Sequence, residues 1–238
     1  VTVISYGGAY SRDASAAPNT GVRTTVLVTD ISGQIPGSGN AYIAPWVALE
    51  YPNNYWAQFG YFTNGPGTGM NWFYQVWDNP GASGETVLAG GSGSLPSLGS
   101  HQFAIYLESG TVWAFALDGL VLGTFDMGVS VSGSTAAAEP LEVLVEQQML
   151  NGIGAYPVPA IEFTTALETR QNGVWGAVLA GNAEVVGGAF GVQGRDQNAA
   201  LAPNQVIVGS SVAVPAQGAV LWTAEDITSD SVMIMVVN

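Results

Sequence analysis

The chain has 238 residues, a net charge of −14, no cysteine and four basic side chains besides one histidine. The four are Arg12, Arg23, Arg170 and Arg195. A thiol nucleophile, a thiolate zinc site and a lysine Schiff base are therefore excluded, and a Ser-His-Asp triad or a His metal site would rest on His101 alone.

In chain order, short aromatic or β-branched runs are separated by Gly, Pro, Ser and Asn clusters, the pattern of β-strands. The first runs are TTVLV (24–28), WVALE (46–50), WAQFGYF (56–62) and NWFYQVW (71–77). The Gly-rich stretch 81–100 reads as a loop or flexible hairpin, and HQFAIYL (101–107) as a strand with an exposed His101 at its start. TVWAFALDGLVLGTF (111–125) is a hairpin, because Asp-Gly favours the positive φ angles of a two-residue turn. LEVLVEQ (141–147) and VPAIEFT (158–164) follow, and VMIMVV (232–237) ends the series. Beyond about residue 170 aromatics thin out and Ala, Gly and Val take over.

No segment carries an amphipathic helical period with caps. The expected fold is all-β: an antiparallel β-sandwich, jelly-roll or concanavalin-like, whose concave face carries the site. Residues 1–170 are expected to form the β-sandwich catalytic domain, with 171–238 as additional strands of the same domain. No run of 18 apolar residues suggests a membrane-spanning helix. Nucleic acid and anionic membranes are unexpected partners for so few cations. No signal-peptide pattern opens the chain, yet its Gly, Ser, Thr and aromatic richness suggests a secreted, extracellular protein.

The charge deficit also fits an acidic habitat. Four arginines, one histidine and an amino terminus sum to about +6 when every carboxylate is protonated, so acid self-repulsion is small. No calcium-loop spacing or other metal set stands out, and no cofactor is expected.

Strand alternation places side chains i and i+2 on one face. Trp56, Gln58, Gly60 and Phe62 share one face of their strand, Trp46, Ala48 and Glu50 one face of another, and Phe73, Gln75 and Trp77 one face of a third. In LEVLVEQ, Leu141, Val143 and Val145 alternate with Glu142, Leu144 and Glu146. If these faces line one sheet, aromatics, amides and acids converge on a groove suited to an extended polymer. Glu142 and Glu146 stand about 13 Å apart along their strand, too far for a paired-carboxylate glycosidase.

These motifs, in this order, resemble those of the eqolisins, or glutamic peptidases. SYGGAY (5–10) is similar to the family's amino-terminal Gly-Gly strand, WVALE to its Trp-bearing strand, and WAQFGYF to the strand with the catalytic Gln before a Gly. FYQ (73–75) is similar to the aromatic-acid strand, LEVLVEQ to the strand whose second Glu is catalytic, and VPAIEFT to the strand that closes the region. The resemblance implies a secreted, acid-active endopeptidase with a polypeptide substrate and no cofactor. It implies Gln58 as catalytic amide and Glu146 as catalytic acid, with Trp46 lining the groove. The substrate-binding set expected around them is Trp46, Trp56, Glu50, Tyr74, Gln75 and Glu142. This chain departs from the family pattern with Gln75 in place of Glu, Glu50 in place of Asp, and Phe62 where an acid is frequent. A carbohydrate-binding β-sandwich and a structural surface protein are the competing expectations.

Overall fold

The computed structural model describes the backbone of residues 3–11, 19–35, 42–78, 86–132, 141–149, 158–177, 183–191, 198–199, 207–214, 218–225 and 232–237. Side chains are described within 19–33, 35, 42–78, 86–132 and 168–176. The first strands are β1 (Val3–Ser11), β2 (Asn19–Val28), β3 (Tyr42–Glu50), β4 (Tyr55–Phe62), β5 (Asn71–Asp78) and β6 (Thr86–Ser94). Next come β7 (Gly99–Ser109), β8 (Val112–Leu117), β9 (Leu120–Asp126), β10 (Leu141–Met149), β11 (Val158–Gln171) and β12 (Val174–Ala177). The last are β13 (Ala183–Gly191), β14 (Asn198–Ala199), β15 (Ile207–Val214), β16 (Gly218–Glu225) and β17 (Val232–Val237).

Two antiparallel sheets form a β-sandwich. One runs β14-β13-β1-β10-β3-β4-β5-β6, the other β15-β16-β17-β11-β2-β7-β8-β9, with β12 beside β11. The strands after Gln171 pair into these same two sheets. Among the described residues no helix is long and apolar enough to cross a membrane.

Alternation decides what each strand sends into the sandwich. From β4, Ala57, Phe59 and Tyr61 are buried between the sheets. Phe59 meets Phe103 of β7 edge-on at 5.1 Å and Phe115 of β8 at 6.1 Å. Tyr74 of β5 stacks on Phe115 at 4.4 Å. Each such ring removes about 150–250 Å² from water, so at about 25 cal/mol per Å² the core gains several kcal/mol per aromatic.

The Asp118-Gly119 hairpin forms as the sequence indicates, with φ of 51° and 81° at its two turn residues. The Gly-rich stretch differs from expectation. Its central part is strand β6, paired along β5 from Asn71–Ser94 to Asp78–Thr86. Backbone pairing with an aromatic neighbour, rather than side-chain pattern, makes this a strand.

Candidate active site

The outer face of the first sheet, turned away from its partner sheet, carries the even-numbered residues of β4. There a row of polar side chains is held in one arrangement. Trp56 Nε1 donates to Gln58 Oε1 at 3.2 Å, and Gln58 Nε2 donates to Gln75 Oε1 at 2.7 Å. An indole nitrogen only donates. Gln58 must therefore turn its oxygen to Trp56 and its amino group to Gln75. The two glutamines stand directly opposite each other on β4 and β5.

Packing fixes the indole that fixes the amide. Trp56 is 1 % exposed and meets Trp46 edge-on at 5.9 Å. Both belong to an apolar cluster with Ala44, Ala48 and Phe73, flanked by Tyr42, Phe62 and Trp77. Gly60 makes the close approach possible. A Cβ there would lie 2.0 Å from the Pro45 carbonyl oxygen and 2.6 Å from the Trp46 Cα. Only a residue without Cβ lets β3 lie against β4 at this point.

A cavity of about 470 Å³ opens beside the amides. Gln58 and Gln75 line it together with Tyr42, Ala44, Phe62, Asn64, Phe73 and Tyr74, and β6 contributes Val87, Gly90, Gly91 and Ser92. Its described lining holds no carboxylate and no base.

Sheet register places the acids of β10. Glu142 pairs with Ala48 of β3, and Ala48 pairs with Gln58 of β4. Continuing across, Gln58 pairs with Gln75 and Gln75 with Gly90. Glu142, Ala48, Gln58, Gln75 and Gly90 thus form one register row. Two inter-strand spacings, about 10 Å, separate the backbones of Glu142 and Gln58. Glu146 pairs with Ala44, about 13 Å farther along the strand. The register therefore brings Glu142, and not Glu146, level with Gln58. The cavity reaches from the Gln58 row to Ala44, the β3 partner of Glu146. The side chains of Glu142 and Glu146 lie outside the described residues.

Several expected roles change. Trp46 and Trp56 do not form an open aromatic wall; they are buried, and Trp56 acts on Gln58. Tyr74 borders the cavity, but alternation turns its ring to the sandwich interior, where it is committed to Phe115. Glu50 pairs with Trp56, two residues from the Gln58 row, and is half-buried. Gln75 lines the cavity and accepts from Gln58. The lining roles of Tyr42, Ala44, Phe62 and Phe73 went unassigned at the sequence level, although the alternation around Gln58 and Gln75 contained the signal for Phe62 and Phe73.

His101 is also unlike its expectation. It is 5 % exposed, with Nδ1 2.7 Å from Asp118 Oδ2 and Nε2 3.0 Å from the Ser97 carbonyl oxygen. Asp118 Oδ1 accepts from the Gln102 backbone N–H at 2.8 Å. The Ser97 hydroxyl is farther from Nε2, at 3.4 Å. The carbonyl holds that nitrogen, so the cluster fastens the β8–β9 turn to the start of β7 rather than activating a serine.

No family model and no curated protein matches the sequence. Among solved structures, the chain is similar to scytalido-glutamic peptidase with a transition state analog inhibitor, at 16 % identity, 98 % coverage of each chain and a TM-score of 0.53. It is similar to the same peptidase with a peptide-based transition state analog at 15 % identity, the same coverage and a TM-score of 0.52. SCP-B, a member of the eqolisin family in complex with the tripeptide Ala-Ile-His, matches at 15 % identity, 98 % coverage of each chain and a TM-score of 0.49. The chain has the β-sandwich fold of the glutamic peptidases.

Proposed function

We propose that this protein is a secreted endopeptidase active in acid, with Gln58 as oxyanion donor and Glu146 as general acid and base. The observation that carries the reading is the fixed Gln58 amide beside a cavity, on a fold shared with glutamic peptidases.

Peptide hydrolysis needs an activated water and a stabilised oxyanion. An ionised glutamate takes a proton from water as the water attacks the carbonyl carbon, and later returns it to the departing amine. Gln58 Nε2 has a second N–H besides the one given to Gln75, and in this reading it meets the developing oxyanion. One such donor is worth about 10²–10³ in rate. A carboxylate remains a usable base close to its reference pKa of about 4.3, where an imidazole is fully protonated. The scarcity of basic side chains supports work in acid, because few positive charges then repel one another.

The register favours a second assignment of the acid: Glu142, level with Gln58. Parallel variants separate the two. Purified protein is incubated with denatured casein across acid pH, with and without chelator. Cleavage unaffected by chelator is expected, with Gln58→Ala lowering kcat by about 10²–10³ while the fold persists. The acid is whichever of Glu146→Gln and Glu142→Gln abolishes turnover. Full activity in all three variants would end the peptidase reading.

A further inference from the structure

One flank of the sandwich is formed by two edge strands, β6 and β9. Each is the last strand of its sheet and pairs on one side only among the described residues. One ring links them: a Cβ on Gly91 of β6 would meet the Tyr74 ring at 2.6 Å, and a Cβ on Gly123 of β9 would meet the same ring. We propose that this flank is a self-association surface, on which a second copy of the chain pairs its own β6 antiparallel to this one and forms a twofold dimer.

Three observations carry the proposal. First, β6 lacks the devices that blunt an open edge, which are charge, proline and bulges. From Thr86 to Ser94 it holds neither a charged residue nor a proline. Its bulge falls at Leu88, near one end, and leaves Ala89–Ser94 in unbroken register with β5. By contrast β9 is bulged near its middle and ends on Asp126. Second, five of the six large apolar side chains exposed among the described residues lie on these two strands or in the turn after β6: Val87, Leu88, Leu98, Leu120 and Val121. Apolar surface gathered in this way gains from being covered.

Third, charge points to the occupant. No Asp, Glu, Lys or Arg occurs from Thr86 to Leu107 in a chain of net charge −14. A charged partner finds no counterion along β6, whereas two copies meet there without setting like charges side by side. The free backbone N–H and C=O groups of an edge are matched by another strand, and antiparallel pairing of identical edges closes on itself instead of growing into a fibre. The twofold axis then stands normal to the sheet, the first sheets of the two copies merge, and both cavities beside Gln58 open to the same side.

Size sets the strength. The nine residues of β6, at about 3.4 Å each, on a sandwich whose sheets stand about 10 Å apart give a flank of about 30 by 15 Å. That is about 450 Å² per copy, below the roughly 800 Å² of a standard interface, so the dimer is weak, with Kd between about 10 µM and 1 mM.

Sedimentation equilibrium of the full chain at neutral pH, from about 5 µM to about 1 mM, tests this. The average mass should climb from one chain toward two, and more readily at high salt, which screens the repulsion between two −14 chains. Leu88→Lys and Ser94→Lys should each weaken association about tenfold or more. Val174→Lys, at a residue 70 % exposed at the start of β12, introduces the same side chain away from the flank and should not weaken it. Amide hydrogen exchange of the unaltered protein should slow within Ala89–Ser94 as concentration rises and stay unchanged in β12. This second measurement needs no variant and decides the matter if either lysine unfolds the chain. A chain that remains monomeric at about 1 mM would overturn the proposal. So would a dimer that Val174→Lys weakens as much as Ser94→Lys, or one without slowed exchange in β6.

Discussion

Gln58 and Phe59 are consecutive residues of β4, yet they belong to two different interiors. Phe59 enters the space between the sheets, where its neighbours are rings from the opposite sheet. Gln58 stands on the outer face, where the neighbours are also largely aromatic but belong to adjacent strands of its own sheet. The inner face is closed by a second sheet. The outer face closes over Trp46 and Trp56 and leaves a cavity at the amides. One strand thus supplies stability on one side and a preorganised polar group on the other. The apolar cluster of the outer face does not merely pack; it fixes an indole that orients an amide.

Substitutions on the two faces should separate accordingly. Phe59→Ala removes a ring from the inner core and should cost about 3–5 kcal/mol, read as a large fall in the urea midpoint. A small fall would mean that the inner face is not the main source of stability. Gly60→Ala pushes β3 and β4 apart at the Pro45 carbonyl and should cost about 1–3 kcal/mol or more, with activity falling because Trp46 and Trp56 shift together. Unchanged stability would contradict the close approach.

Trp56→Phe keeps most of the ring volume and removes the donor to Gln58. Thermal stability should fall by about 1.5 kcal/mol or less, while kcat falls about tenfold and KM changes little. Equal loss in both readouts would make Trp56 a packing residue only. Tyr61→Phe is the smallest expected effect. Burial pushes the Tyr61 phenol well above its ordinary value, and its hydroxyl lacks a hydrogen-bond partner among the described residues. A raised folded-state pKa contributes stability below the unfolded value of about 10 and loses it as pH rises beyond that value. Tyr61→Phe should therefore be close to neutral at pH 7 and should unfold less readily than the parent above about pH 10. Parallel alkaline unfolding curves would show that this phenol does not titrate with unfolding.

The strands around residues 46–77 and 101–125 were legible because they are short aromatic and β-branched runs and the turns between them carry Asn, Gly or Asp. Alternation places Gln58 and Gln75 each on an aromatic face of its own strand, and the register sets them opposite each other. What sequence could not carry was long-range partnership. Strand β6 is only Ala, Gly and Ser from Ala89 to Ser94, so it shows no apolar pattern there, and its Gly residues read as loop. They are glycines because the Trp72 and Tyr74 rings of β5 lie across Gly93 and Gly91. His101 looked exposed because its anchor, Asp118, lies a full hairpin away. The alignment of β10 against β3 is likewise a long-range choice, so spacing within LEVLVEQ could not say which glutamate comes level with Gln58.

Trp56, Gln58 and Gln75 form a chain of three groups, none of which gains or loses a proton in acid. The posture of the donor is thus the same at pH 3 as at pH 7. On the proposed peptidase reading, these three groups add no ionisation of their own to a rate-against-pH curve. A carboxylate at position 75 would have tied that posture to an ionisation; the amide does not.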